Sequence, residues 1–233
     1  MFCAIIGDIV NSRSIFDPNE KIQINDSVRH ALQKKIVTTL EKINEDYSED
    51  IILPFAIRYG DDFEGVVAPS CRYLEIAMRI IRAIYPIHVR IVFGLGSMRT
   101  IPDSRLVFQS DGPAMHCARD ALTKLKKEQK NTGWFNMAFE SESDSKFKNS
   151  SLLINALFTL LASITTSWSE SQLKIIWTID DYEGVKGKQK KAALKLGISN
   201  PAISESLKKS NYAAYRKAWE ALTNYFIQET TSM

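Results

Sequence analysis

The sequence predicts an α+β protein in two parts, a mixed domain over residues 1–149 and a small all-α domain over residues 150–233. Three observations lead there. Up to Gly96 the chain alternates short β-branched and aromatic runs with longer stretches of helical periodicity. From Leu152 onward nothing reads as a strand. Between these regions, Glu140 to Ser150 is rich in Ser and Lys, the composition of a boundary.

Each element follows from its residues. Phe2-Cys3-Ala4-Ile5-Ile6 is apolar with no periodic polar face, as a buried strand should be, and it runs into Gly7-Asp8-Ile9. After a polar loop beginning Asn11-Ser12-Arg13, Asp17-Pro18-Asn19-Glu20 combines an N-cap, a proline suited to the first helical position and the acid of a capping box. Ile24, Val28, Leu32, Ile36, Leu40 and Ile43 then recur at helical spacing, predicting a long amphipathic helix to about Glu45. A hairpin follows, with strand Pro54 to Tyr59, turn Gly60-Asp61-Asp62 and strand Phe63 to Ala68. A second helix covers Arg72 to Ile84 and stops before Pro86, whose ring disfavours helical geometry in the residue ahead of it. Ile87 to Gly96 reads as a strand and Arg105 to Gln109 as a short further one. Pro113 starts a third helix towards Lys126, and Trp134 to Phe139 reads as an edge strand. Strand, helix, hairpin, helix, strand is the order of a ferredoxin-like sheet. The second part holds an apolar helix from Leu152, a helix from Glu170 to Ile179, a basic cluster and a last helix from Asn211 to Gln228.

Composition narrows the class. The chain is 45% hydrophobic and 24% charged, values of an ordinary soluble globular protein. Its three cysteines, Cys3, Cys71 and Cys117, show no CxxC spacing, which argues against a disulfide framework or a zinc site and for a reducing, cytoplasmic setting. The apolar N-terminus lacks a basic n-region, and the longest apolar run, Leu152 to Ile164, is too short to span a bilayer, so no membrane partner is expected. Between Lys186 and Lys217 stand nine basic residues against one acid, Glu205, a local charge of +8 in a chain whose net charge is +3. The rest is therefore mildly acidic, and the basic segment is the candidate for contact with a polyanion.

Two predicted strand ends deliver carboxylates: Asp8 in Gly7-Asp8-Ile9, then Asp61 and Asp62 in Gly60-Asp61-Asp62-Phe63. Hard cations take oxygen ligands, commonly one or two protein carboxylates with the phosphates of a nucleotide, so Asp8, Asp61 and Asp62 are candidate ligands for Mg²⁺ or Mn²⁺. Asp is common at hairpin turns for conformational reasons alone, and the partner Asp8 is what gives the pair its weight. His30, His88 and His116 share no metal-ligand spacing. Gly184-Val185-Lys186-Gly187-Lys188 lacks the leading glycine position and the following hydroxyl of a P-loop.

The element order, with those two motifs, the strand Val89-Arg90-Ile91-Val92-Phe93-Gly94-Leu95-Gly96 and Asp111-Gly112-Pro113 leading into Ala118-Arg119, resembles the palm of class III nucleotide cyclases and their GGDEF-type relatives. The whole chain resembles the SatD family of bacterial proteins. The palm resemblance implies that Asp8 and Asp61 hold metal with Asp62 as an auxiliary acid. It also implies that a nucleoside triphosphate meets the Ile9 carbonyl, the loop Asn11-Ser12-Arg13 and Arg119. Three departures point away from turnover. Ile57 stands where a base-reading lysine is expected, His116 where an asparagine is expected, and Arg119 lies one residue short of the arginine's register, at which Asp120 stands. No catalytic residue is assigned.

Within the basic segment, Gln189 to Leu207 resembles the helix-turn-helix of bacterial repressors. Gly197 supplies a left-handed turn residue, Ser199 an N-cap, and Ile198, Ile203 and Leu207 a buried face. Lys188, Lys190, Lys191, Asn200, Ser204 and Lys208 are then the candidates for duplex DNA, with phosphate and base-edge contacts divided among them. The expected function is a homodimeric DNA-binding regulator whose palm binds nucleotide and divalent metal. The alternative is a Mg²⁺- or Mn²⁺-dependent nucleotidyl cyclase or nucleotidyltransferase with a partner-binding helical tail.

Overall fold

The computed structural model describes residues 1–10, 26–58, 62–128, 135–142 and 147–231. The chain forms strand β1 (Phe2–Ile9), helix α1 (Asp26–Asp46), strands β2 (Ile51–Ile57) and β3 (Asp62–Val67), helix α2 (Tyr73–Ile84), strand β4 (Val89–Gly96), helix α3 (Pro113–Glu128) and strand β5 (Phe135–Ser141). Five helices follow: α4 (Ser151–Thr166), α5 (Glu170–Asp180), α6 (Lys188–Leu196), α7 (Asn200–Lys209) and α8 (Tyr212–Thr231). The result is a mixed α+β fold around one five-stranded sheet of order β2-β3-β1-β4-β5. In it β1 is antiparallel to β3 and β4, β2 is antiparallel to β3, and β5 is parallel to β4.

The period of two along each strand sorts the sheet into two faces. Cys3, Ile5 and Ile9 of β1, with Phe63, Phe93 and Phe139 of its neighbours, join a large core that takes in Leu32, Ile36, Leu40 and Ile43 of α1 and the buried side of α2. The same core continues into Phe158 of α4, Ile176 of α5 and Phe226 of α8, so the helical part packs on the mixed part through shared apolar surface. Burying a side chain of this size contributes roughly 1.5–3 kcal/mol. Ala4 and Ile6 point the other way, with Val66, Val92 and Ala138, under Ala114, Met115, Ala118, Ala121 and Leu125 of α3. Small residues bring α3 close: a Cβ added at Gly94 would lie 2.1 Å from the Ala114 carbonyl oxygen and 2.3 Å from the Ala118 nitrogen.

Both margins of the sheet are closed in the same way. The Asn44 side chain accepts from the Phe55 amide at 2.8 Å and donates to the Phe55 carbonyl at 3.0 Å, taking the place of a further strand beside β2. Asn155 of α4 does the same for Phe139 of β5, at 2.9 and 2.8 Å. Each amide satisfies one donor and one acceptor that an edge strand would otherwise leave open.

Several boundaries differ from the sequence-based expectations. β2 begins at Ile51 rather than Pro54, and the proline is tolerated because it sits on an edge strand within the register shift between Leu53 and Ala56. Arg105 to Gln109 is not a strand but leads into a 3-10 turn, Val107–Gln109, with Arg105 at φ 55 and its guanidinium donating to the Ile51 carbonyl at 3.1 Å. β5 runs to Ser141, two residues beyond the expected Phe139. The Asp17 helix start, the Gly60-Asp61 turn and Trp134 lie outside the described residues.

Candidate functional site

The face of the sheet under α3 changes character towards one end. Asp8 is the Cα partner of Asp62 on β3 and of Arg90 on β4, and Ile6 that of Glu64, so Asp8, Asp62, Glu64 and Arg90 share the α3 side. Asn136, buried, continues this row on β5 as the register partner of Arg90. From α3, Arg119 and Lys126 stand two turns apart on one side of the helix and reach down to the strands.

Asp8 is 7% exposed and both its oxygens are engaged. Arg90 Nη1 donates to Oδ2 at 2.9 Å and Lys126 Nζ to Oδ1 at 2.5 Å. Glu64 is 1% exposed, accepts from Arg58 Nη1 at 2.8 Å and lies 3.6 Å from Arg119 Nη2. The second oxygen of Glu64 and the Nε of Arg119 are buried and make no hydrogen bond among the described residues. A buried carboxylate needs such cations, since an isolated charge in this environment would cost several kcal/mol. Four cationic side chains thus surround Asp8, Glu64 and the half-buried Asp62, a set able to meet the oxygens of a phosphate.

Among the described residues no group of three or more His, Cys, Asp and Glu side chains stands close enough to hold a metal ion. Asp61, Asn11, Ser12 and Arg13 lie outside the described residues, so of the expected palm positions the cluster is drawn from Asp8, Asp62 and Arg119 alone. Ile9 ends β1 with its side chain in the larger core. Asp8 and Asp62 supply hard oxygen donors in register, which fits a divalent ion provided that it displaces Lys126 from Asp8. His116 turns outward, its Nε2 2.6 Å from Asp111 Oδ1, and this hydrogen bond holds the Asp111 carboxyl below its ordinary pKa. His88 is lowered by burial.

The basic segment forms α6 and α7 joined by Gly197-Ile198-Ser199. Gly197 has φ 67, a left-handed conformation that glycine adopts without steric cost, and the Ser199 side chain accepts from the Ala202 amide to cap α7. Ile203 is fully buried and Leu207 partly, but Ile198 is 37% exposed, because the turn itself faces solvent. Lys190, Lys191, Asn200 and Lys208 are exposed. Lys188 instead pairs with Glu183 at 3.0 Å, and the exposed Ser204 hydroxyl donates to the Gln189 side chain at 3.1 Å. Glu205 pairs with Lys209 at 2.8 Å.

Glu64, Arg58, Arg90 and Lys126 were not among the expected site residues, although period-two and helical spacing place Glu64 beside Asp62 and Lys126 on the side of Arg119. What the sequence could not supply was which cations those carboxylates meet. Together these features define an α+β protein with a charged cluster at one end of its sheet and a basic all-helical segment. The chain matches the family model described as the SatD family over residues 2–225, and it belongs to that family. Among curated proteins no relative matches it. No helix among the described residues is long and apolar enough to cross a membrane.

Proposed function

We propose that this chain is a DNA-binding regulatory protein in which α6 and α7 act as a helix-turn-helix and the mixed part is a ferredoxin-like, nucleotide-cyclase-like palm that binds a nucleotide with Mg²⁺ or Mn²⁺. The observation that carries the reading is the exposure of Lys190, Lys191, Asn200 and Lys208 on two helices joined by a left-handed glycine and a serine cap. Lysines so placed release condensed counterions from DNA phosphates, and Asn200, at the start of α7, stands where a recognition helix meets base edges. The Glu205–Lys209 pair offsets the one acid on that surface. Two such units read paired half-sites in a homodimer.

For the palm, support comes from Asp8 and Asp62 in register and from the four cations around them. Asp8 and Asp62 would hold the metal, which supplies positive charge to the phosphates. Arg90 holds Asp8 aimed, and Lys126, on a flexible stem, is free to follow an incoming phosphate.

The test uses the full-length protein and a labelled duplex in fluorescence anisotropy. Affinity falls steeply with salt, Lys190→Ala with Lys191→Ala lowers it for all sequences alike, and Asn200→Ala changes sequence preference. Loss of salt dependence would make α6 and α7 a protein-contact unit. In calorimetry with a nucleoside triphosphate, Lys126→Met raises Mn²⁺ affinity and Asp8→Ala removes it. Cyclic or oligomeric products that vanish in Asp8→Ala and Asp61→Ala would instead make the nucleotidyl cyclase or transferase reading correct.

A further inference from the structure

Where α2 meets α8, between the sheet and the helical part, lies a cavity of about 500 Å³, within the size range of small-molecule sites. Leu74, Met78, Trp219 and Phe226 supply apolar wall. The polar lining is uneven in what it has left to bond.

All four carboxylates around the cavity are engaged. Glu75 accepts from the Tyr47 hydroxyl at 2.9 Å and Asp180 from the Tyr212 hydroxyl at 2.6 Å. Glu183 pairs with Lys188 at 3.0 Å, and Glu220 accepts from Arg216 at 2.7 Å. Two donors differ. The Arg72 side chain is 69% exposed and meets Glu75 at 3.7 Å, beyond hydrogen-bond length. The Tyr73 hydroxyl belongs to a side chain 2% exposed and makes no hydrogen bond among the described residues. The Tyr73 hydroxyl has no accessible surface, so a ligand that completes this lining brings an acceptor for Arg72, on an apolar body.

We infer that this cleft is a second binding site, separate from the Asp8 cluster, for an amphipathic anion: an aromatic or branched aliphatic body carrying a carboxylate, sulfonate or phosphate. The body lies against Met78 and Trp219, and the acidic head takes the spare donors of Arg72. The place gives occupancy a consequence. α8 packs on both α4 and α7, and Arg82 of α2 donates to the Trp177 carbonyl at 2.9 Å, so a ligand here bears on the joint between the sheet and the basic helices.

The probe is 8-anilinonaphthalene-1-sulfonate, titrated into the full-length protein and read by its emission and by energy transfer from tryptophan. One saturable site per chain is expected. Met78→Trp and Thr223→Trp, which fill the cleft from opposite walls, each weaken binding at least about tenfold, and Trp219→Phe reduces the energy transfer. Arg72→Ala weakens it about two- to fivefold, a difference that shrinks at high salt. The inference is overturned by absence of saturable binding, or by unchanged affinity in both filling variants when circular dichroism shows them folded. It is equally overturned if Leu152→Ser with Leu160→Ser, on the exposed side of α4, removes the signal instead.

Discussion

The two faces of the sheet are made by alternate residues of the same strands, yet they are built to different rules. On one, Cys3, Ile5 and Ile9 meet α1, α2 and the helical part in a core that is apolar from end to end. On the other, Ala4 and Ile6 lie under α3, but the next residue in the row is Asp8, followed across the strands by Asp62, Arg90 and Asn136. The first face is designed for burial and bulk. The second uses small residues for close approach at one end and paired charges at the other. Charges so nearly removed from water are held at a cost, which is why they mark the place where a ligand's charge would be most strongly felt.

The sharpest way to break this contrast is Glu64→Ala. It leaves Arg58 and Arg119, each partly exposed, without their buried partner, and about 1–3 kcal/mol of unfolding free energy should be lost in urea titration. That overlaps the roughly 2–5 kcal/mol expected for Ile5→Ala on the apolar face. A loss below about 0.5 kcal/mol would mean that the polar end is ordinary surface.

Gly94→Ala probes the close approach. Its methyl group would meet the backbone of α3, and a loss of about 1–3 kcal/mol is expected, with the α3 amides losing hydrogen-exchange protection first. Retention of full stability would show that α3 can lift off the sheet without cost.

At the margins the comparison is between β2 and β5. Asn44→Ala and Asn155→Ala each strip a bonded donor and acceptor from a phenylalanine backbone, for about 1–3 kcal/mol. Asn155→Ala also uncovers a strand edge beside the exposed Leu152, so it should aggregate more readily on heating, as read by light scattering. Equal aggregation of both variants would remove the distinction between the two edges.

The smallest structural effect belongs to Lys190→Ala with Lys191→Ala, far from either face. Stability should shift by less than about 0.5 kcal/mol, whereas the slope of log affinity for DNA against log salt should fall by about 2. A fall in stability with no change in slope would assign these lysines to the fold.

Much of the architecture was legible because it rests on local patterns. Leu32, Ile36, Leu40 and Ile43 announce α1 by spacing, and Pro86 sets the end of α2 through the extended backbone it requires of Tyr85. Ser199 and Gly197 mark the turn between α6 and α7 by capping and backbone chemistry. Arg105 to Gln109 failed as a strand because its apolar residues suit either a strand or a turn, and contact with the Ile51 carbonyl selected the turn.

The charged cluster was legible only in part. By itself the sequence determined that Asp8 closes a strand and that the last third of the chain is helical and basic, while it set Asp62 in the hairpin turn rather than in β3, where it lies. Only the tertiary structure decided that Arg90 and Lys126 take both oxygens of Asp8, and that Glu64 is sealed under α3 between two arginines. Spacing along a chain fixes which way a side chain points relative to its near neighbours. Which charge neutralises which depends on strand order and helix placement, contacts tens of residues apart that no local pattern encodes.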